Sequence, residues 1–232
     1  MKNKISAIIT AAGKSVRMNL PVKKQFMPLA GKPIIIHTVE KFINTNIFNK
    51  ILVVVNKKDR EFAEEIFSEY KIPKNNFIIV DGGKTRQGSV FNALKKCSSA
   101  TKIVVIHDGV RPFVKIEEIK EIVNITMAKG AVTFGIPVKN TIKKVEQNKV
   151  LFTLDRKKLW EILTPQAFKY ELIYNAHKNA IQKKIVTNDD AELVEILGEE
   201  VFVLQGSSEN IKITNKFDLK IAEAMLQSKN IE

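Results

Sequence analysis

Apolar and polar residues follow two rhythms along this chain. Short apolar runs occupy residues 4–11, 51–55, 77–80, 103–106 and 132–136 and predict strands. Between them, apolar residues return every three or four positions. That spacing predicts helices over 33–45 (Ile35, Val39 and Phe42 on one face), 59–70 (Phe62, Ile66, Phe67), 86–96 and 116–127 (Ile116, Ile119, Ile122, Val123, Met127). The strands are apolar throughout, as strands covered on both faces are. Strand and helix alternate, which predicts an α/β fold with a mostly parallel sheet flanked by helices.

The rhythm changes over 138–158. Residues 141–146 and 150–153 alternate polar and apolar side chains around the polar turn Gln147-Asn148-Lys149, which predicts a hairpin exposed on one side. Such an arm has few neighbours in its own subunit, so it is expected to lean on a partner and make a homodimer. The α/β rhythm then returns, with helices over 170–181, 190–197 and 218–227 (Leu219, Ala222 and Leu226 inward) and strands over 201–204 and 210–214. No repeat, linker or low-complexity segment interrupts it. The organisation expected is one domain over 1–232 carrying an inserted arm.

Composition narrows the function. The 232 residues are 44% hydrophobic, ordinary for a globular protein with one substantial core. A net charge of +13, mostly lysine, suits acidic small molecules, nucleic acid or an anionic surface. Weak aromatic interleaving of the basic residues argues against nucleic acid. The single cysteine, Cys97, excludes an internal disulfide and fits a reducing compartment. No secretory pattern and no membrane-length apolar run is visible, so a cytoplasmic protein without a membrane partner is expected.

In open α/β sheets the ligand lies beyond the carboxyl ends of the strands. The first strand delivers Ala11-Ala12-Gly13 and a basic loop holding Arg17, Lys23 and Lys24. This is neither a Walker A loop, which would need glycine where Ile8 stands, nor the G-x-G-x-x-G fingerprint, whose later glycines are Ser15 and Met18. The third strand delivers Gly82-Gly83-Lys84-Thr85-Arg86-Gln87-Gly88-Ser89, and the fourth His107-Asp108-Gly109-Val110-Arg111-Pro112. Glycines, cations and hydroxyls converge with one carboxylate, a combination suited to a polyphosphate and a metal. Asp108 is a natural ligand for Mg²⁺, which shares itself between few carboxylates and substrate phosphates, or else a cap for the following turn. His107 should point to the opposite face, and His37 and His177 lie on predicted helices without metal-spaced partners.

These segments, with Lys24-Gln25-Phe26, Pro137-Val-Lys-Asn-Thr141-Ile-Lys143, Asp155-Arg156, Leu159-Trp160, Thr164-Pro165-Gln166-x-Phe168 and Asn210-Ile-Lys212-Ile-Thr214, resemble the 2-C-methyl-D-erythritol 4-phosphate cytidylyltransferases, in order and over nearly the whole chain. The resemblance implies a Rossmann-like nucleotidyltransferase fold with a β-arm, an Mg²⁺-dependent homodimer, and transfer of a cytidylyl group from CTP to a phosphorylated polyol in the non-mevalonate route to isoprenoids. It implies that Arg17, Lys24 and Lys212 are catalytic cations, and that Ala11, Ala12, Gly13, Gly83, Arg86, Ser89 and Asp108 bind CTP. Asp108, Gly109, Arg111, Thr141, Arg156 and Thr187 match acceptor positions, with Asp108 also holding the metal. The chain departs from the family pattern at Ser15 (usually glycine), Lys23 (usually proline) and Asn140 (commonly aspartate). Thr187 falls one place early before Asn188-Asp189-Asp190-Ala191, leaving the acceptor contact to Thr187 or Asn188. Two other readings are a ribitol 5-phosphate cytidylyltransferase of the same fold and a non-catalytic basic nucleotide-binding module.

Overall fold

The computed structural model describes residues 4–13 and 23–229. Strand β1 (Ile5–Ala11) leads into two two-residue strands, β2 (Pro28–Leu29) and β3 (Lys32–Pro33), and helix α1 (Ile34–Ile43). There follow β4 (Lys50–Val55), α2 (Arg60–Glu69), β5 (Phe77–Asp81), α3 (Arg86–Leu94), β6 (Ile103–Asp108), α4 (Ile116–Lys129) and β7 (Ala131–Pro137). The hairpin is β8 (Lys143–Glu146) and β9 (Lys149–Thr153), and the chain closes with β10 (Trp160–Lys169), α5 (Tyr170–Lys183), α6 (Asp190–Glu195), β11 (Phe202–Gln205) and α7 (Lys216–Lys229).

One seven-stranded sheet has the order β11-β7-β10-β6-β1-β4-β5. Every pair in it is parallel except those of β10, which runs antiparallel to β6 and β7. Side chains of period two divide the core between the two faces. Ile5, Ala7, Ile9 and Ala11 join Val53, Val55 and Val105 under α1, α2 and α4, while Ile8, Leu52, Val54, Val104 and Ile106 pack under α3, α5 and α6. A third cluster of Leu29, Ile34, Val110, Phe113, Ile213 and Ala222 seats α7 beside the strand ends.

Four expectations are corrected. The sequence pattern gives no signal for the ten-residue strand β10, because Thr164-Pro165 interrupts it and proline argues against a central strand. The sheet accommodates it with a register shift between Ile162 and Gln166. Residues 210–214 form no strand; they run as a loop whose Ile213 N–H donates to Val110 O at 2.9 Å. Phe62 and Met127 face outward, 46% and 55% exposed, with Phe62 edge-on to Phe26. The arm is closed by a two-residue turn with Gln147 and Asn148 both at positive φ, the primed turn that matches strand twist. Both of its faces are exposed in the single subunit, rather than one, because no other element among the described residues covers either.

Candidate active site

The carboxyl ends of β1, β4, β5 and β6 open onto one cleft of 990 Å³. Its wall of small residues runs from Ala11, Ala12 and Gly13 to Gly82 and Gly83, and its cations are Lys24, Lys57, Lys58, Lys84, Arg86 and Lys212. Asp108 is the acidic residue among the lining side chains. Among the described residues, six cations against one carboxylate favour a ligand with several negative charges.

Close approach explains the glycines. A Cβ on Gly82 would stand 2.6 Å from the Ala12 Cβ, and one on Gly83 would stand 2.8 Å from the Gly88 carbonyl carbon. The end of β5 is thereby pressed against β1 and the start of α3. Ser89 Oγ accepts from Gly83 N–H at 3.0 Å and donates to Thr85 O at 2.8 Å. Thr85 caps α3 by accepting from Gly88 N–H at 3.0 Å. Thr85 and Arg86 place the N-terminus of α3 on the cleft wall, where the helix dipole favours an anion. Across the cleft, Gln25 is buried and donates through Nε2 to Ala11 O at 2.7 Å, which fixes neighbouring Lys24 beside β1.

Asp108 is buried at the end of β6 and surrounded by cations. Lys212 Nζ lies 2.8 Å from Oδ2, Arg111 Nε 3.4 Å from Oδ2 and Arg86 Nε 3.7 Å from Oδ1. Burial would raise its carboxyl pKa, but the charges of Lys212, Arg86 and Arg111 hold it well below the usual carboxylate range. The residue is therefore an anion at neutral pH. Arg86 also reaches Asp190 Oδ2 at 2.7 Å; burial opposes its charge, and the two aspartates nevertheless raise its pKa.

The support behind Asp108 is buried and polar. Asp108 N–H donates to Thr164 Oγ1 at 3.1 Å. The Thr164 hydroxyl has one proton, which it gives to His107 Nδ1 at 3.1 Å, so His107 Nε2 carries hydrogen and donates to Arg111 O at 3.1 Å. Burial pushes the His107 pKa down to about 4, which leaves a neutral imidazole at pH 7. Arg111 Nη1 donates to Asn210 O at 2.7 Å, and Asn210 Nδ2 to Thr164 O at 2.8 Å. These bonds tie the 210–214 loop to β6 and β10, which carries Lys212 to Asp108 without any strand.

The structure brings Ala11, Ala12, Gly13, Lys24, Gly83, Arg86, Ser89, Asp108 and Lys212 into this one cleft. Gly109 and Arg111 stand behind it: a Cβ on Gly109 would meet Ile35 Cδ1 at 2.7 Å, and Arg111 is buried against Asp108 and Asn210. Thr141 and Arg156 are exposed near the arm, outside the cleft lining of their own subunit; Arg156 Nη1 donates to Lys139 O at 2.8 Å. Thr187 is half-buried, donating to Asp189 O, and Asn188 is exposed. Arg17 and Ser15 lie outside the described residues. Lys23 pairs through Nζ with both oxygens of Asp59, at 2.7 and 2.6 Å. Asn56, Lys57 and Lys58 line the cleft although sequence reasoning passed over them; they directly follow β4, where the strand-end rule also points.

No three His, Cys, Asp or Glu side chains converge among the described residues. One carboxylate in a cationic cleft suits a hard divalent ion whose remaining ligands are phosphate oxygens and water, and does not suit a metal held by protein alone. No helix among the described residues is long and apolar enough to cross a membrane.

The family model described as 2-C-methyl-D-erythritol 4-phosphate cytidylyltransferase matches residues 5–228. A relative of that name from Geobacillus thermodenitrificans is 43% identical over 226 residues, covering 97% of this chain and 98% of its own length. Another of that name, from Clostridioides difficile, is 43% identical over 222 residues, covering 95% of this chain and 93% of its own. Among solved structures, the 4-diphosphocytidyl-2C-methyl-D-erythritol synthase of Anaerococcus prevotii superposes with a TM-score of 0.85 at 32% identity, covering 98% of this chain and all of that one. The mostly parallel sheet, the cationic cleft at its strand ends and these full-length likenesses agree: the chain belongs to the 2-C-methyl-D-erythritol 4-phosphate cytidylyltransferase family.

Proposed function

We infer that this enzyme transfers a cytidylyl group from CTP to 2-C-methyl-D-erythritol 4-phosphate, giving 4-diphosphocytidyl-2-C-methyl-D-erythritol and pyrophosphate, a step of isoprenoid synthesis. The observation that carries the reading is Asp108 with Lys212 2.8 Å away, on the floor of a cleft lined by close-packed glycines and five further cations, in a chain matching the family from end to end. The acceptor phosphate attacks the α-phosphorus of CTP, a new P–O bond forms, and the bond to pyrophosphate breaks. The nucleophile is already an anion, so no general base is required. Neutral His107, buried and committed to Thr164 and Arg111, fits that chemistry.

The barrier lies in bringing anions together and in stabilising the extra charge of the pentacoordinate state. In this reading Lys24 and Arg17 hold the triphosphate, and Lys212 faces the α-phosphate from the other side. The small wall of Ala11, Ala12, Gly13 and Gly83, with Ser89, receives the cytidine. The Ser89 hydroxyl donates to Thr85 O and accepts from Gly83 N–H, so only its remaining lone pair meets the nucleoside, as an acceptor. Arg86 completes the nucleotide side. Asp108 would hold Mg²⁺, whose chemistry is to neutralise phosphate charge while the lysines orient the groups.

The acceptor side rests on Gly109, Arg111, Thr141, Arg156 and Thr187. Thr141 and Arg156 lie outside the subunit's own cleft, and β8 and β9 expose Val145, Val150, Leu151 and Phe152, each about half exposed or more. We assign that surface to a homodimer in which the arm completes the partner's site in trans. Cys97, a lone thiol packed against α3, accords with a cytoplasmic location. Pyrophosphate release from CTP, measured with 2-C-methyl-D-erythritol 4-phosphate and with ribitol 5-phosphate in turn, tests the reading. Release with the methylerythritol acceptor is expected. Preference for ribitol 5-phosphate would overturn the acceptor, and release with neither would leave a nucleotide-binding module.

A further inference from the structure

A buried chain of polar side chains runs from α5 to the cleft. His177 on α5 is fully buried and places Nε2 3.2 Å from Asp190 Oδ1. Asp190, first residue of α6 and 1% exposed, places Oδ2 2.7 Å from Arg86 Nη1. Arg86 in turn places Nε 3.7 Å from Asp108. The helix bearing Asp190 is docked on the sheet by Gln166 of β10, whose Oε1 accepts from the N–H groups of Asp190 and Ala191 at 3.2 and 3.3 Å and whose Nε2 donates to Asp189 at 2.8 Å. Phe91 stacks on the His177 ring at 5.9 Å; His177 Nδ1 and Asp190 Oδ2 have no aligned hydrogen-bond partner among the described residues, so Arg86 engages Asp190 Oδ2 as a close ion pair.

We propose that Asp190 and His177 are positioning residues for the transfer reaction: His177 orients the Asp190 carboxylate, and Asp190 holds Arg86 along the cleft wall. The inference rests on the functional reading above. Its physical basis is that an arginine at the cleft edge has several rotamers of similar energy, and binding a charged ligand must select one. A buried carboxylate anchored on its other oxygen selects it in advance, so the ligand loses less side-chain freedom on binding. Burying Asp190 away from water is unfavourable unless both oxygens are engaged, which is why His177 accompanies it. Nothing in the reaction needs His177 itself; among the described residues its polar path to the cleft runs through Asp190 and Arg86, while Phe91 of α3 packs on its ring.

The test is steady-state kinetics with CTP and 2-C-methyl-D-erythritol 4-phosphate, alongside thermal unfolding. His177→Leu removes the donor to Asp190, whereas His177→Gln keeps an amide near the Nε2 position. We expect kcat/KM for CTP to fall about tenfold in H177L and to return to within about twofold of wild type in H177Q. The effect should vanish in an Arg86→Lys background, because His177 acts through the guanidinium. Asp190→Asn should reproduce H177L if it folds. Unchanged kcat/KM in H177L, or equal losses in H177L and H177Q, or full additivity with R86K, would overturn the proposal. An inactive wild type would instead refute the functional reading, so the two failures are distinguishable.

Discussion

Lys212 sets its ammonium 2.8 Å from Asp108, although the two come from opposite halves of the chain and the loop bearing Lys212 has no regular structure. Arg111 clamps that loop by its bond to Asn210 O, while pairing with Asp108 itself. One buried carboxylate therefore gathers Lys212, Arg111 and Arg86 at one point of the cleft.

Removing a cation aimed at the transferring phosphorus should act on turnover. We expect Lys212→Ala to lower kcat by about 10²- to 10³-fold, with a smaller change in KM for CTP. Lys57→Ala, at the outer wall, should raise KM for CTP by severalfold and leave kcat nearly unchanged. Steady-state pyrophosphate release separates the two, and equal effects of both variants on kcat would contradict the assignment.

The glycine contacts predict a graded series. Gly83→Ala forces a Cβ to within 2.8 Å of the Gly88 backbone, so the start of α3 must shift; CTP affinity should drop at least about tenfold. Gly13→Ala meets nothing within 4 Å among the described residues and should leave the melting temperature within about a degree or two of wild type. Calorimetric titration with CTP and a thermal melt measure both. A Gly83→Ala protein with wild-type affinity would show that this wall does not contact the nucleotide.

Acid should destabilise the fold in two stages. His107 titrates at about 4 when folded and near 6.5 when unfolded, so between those values the unfolded chain binds a proton that the folded chain refuses. Stability therefore falls as pH drops through that window, by an amount on the order of 3 kcal/mol, and this contribution is constant below it. The Asp108 carboxyl is depressed in the folded state, so its contribution is complete above its ordinary value of 3.8 and fades as pH falls toward the folded value. Urea denaturation across the range should show the first loss, and His107→Gln should flatten it. An imidazole resonance of His107 titrating near 6.5 in the folded protein would refute the assignment.

The hairpin predicts association. Phe152→Asp, at a side chain 49% exposed in the single subunit, should disrupt the proposed dimer and lower kcat/KM for the acceptor more than kcat/KM for CTP. Sedimentation velocity at micromolar concentration reads the first effect. A wild-type protein that sediments as a monomer would remove the trans contribution altogether.

Local pattern alone determined much of this molecule. Five apolar runs separated by amphipathic helices specify buried parallel strands, because only a sheet covered on both faces tolerates such runs. The rule that ligands lie beyond strand ends then picked out Ala11–Gly13, Gly82–Ser89 and Asp108 before any contact was known. Tertiary structure decided the rest, for reasons that local pattern does not contain. Strand β10 is held by pairing on both sides despite Pro165, and a local reading sees only the proline. The 210–214 loop is held by Arg111, Asn210 and Ile213 with distant partners, and a local reading gives it a strand. The buried line from His177 through Asp190 to Arg86 joins three helices whose own periodicities show nothing in common. Charges that are separate along the sequence acquire their chemistry when packing removes them from water and leaves them only one another.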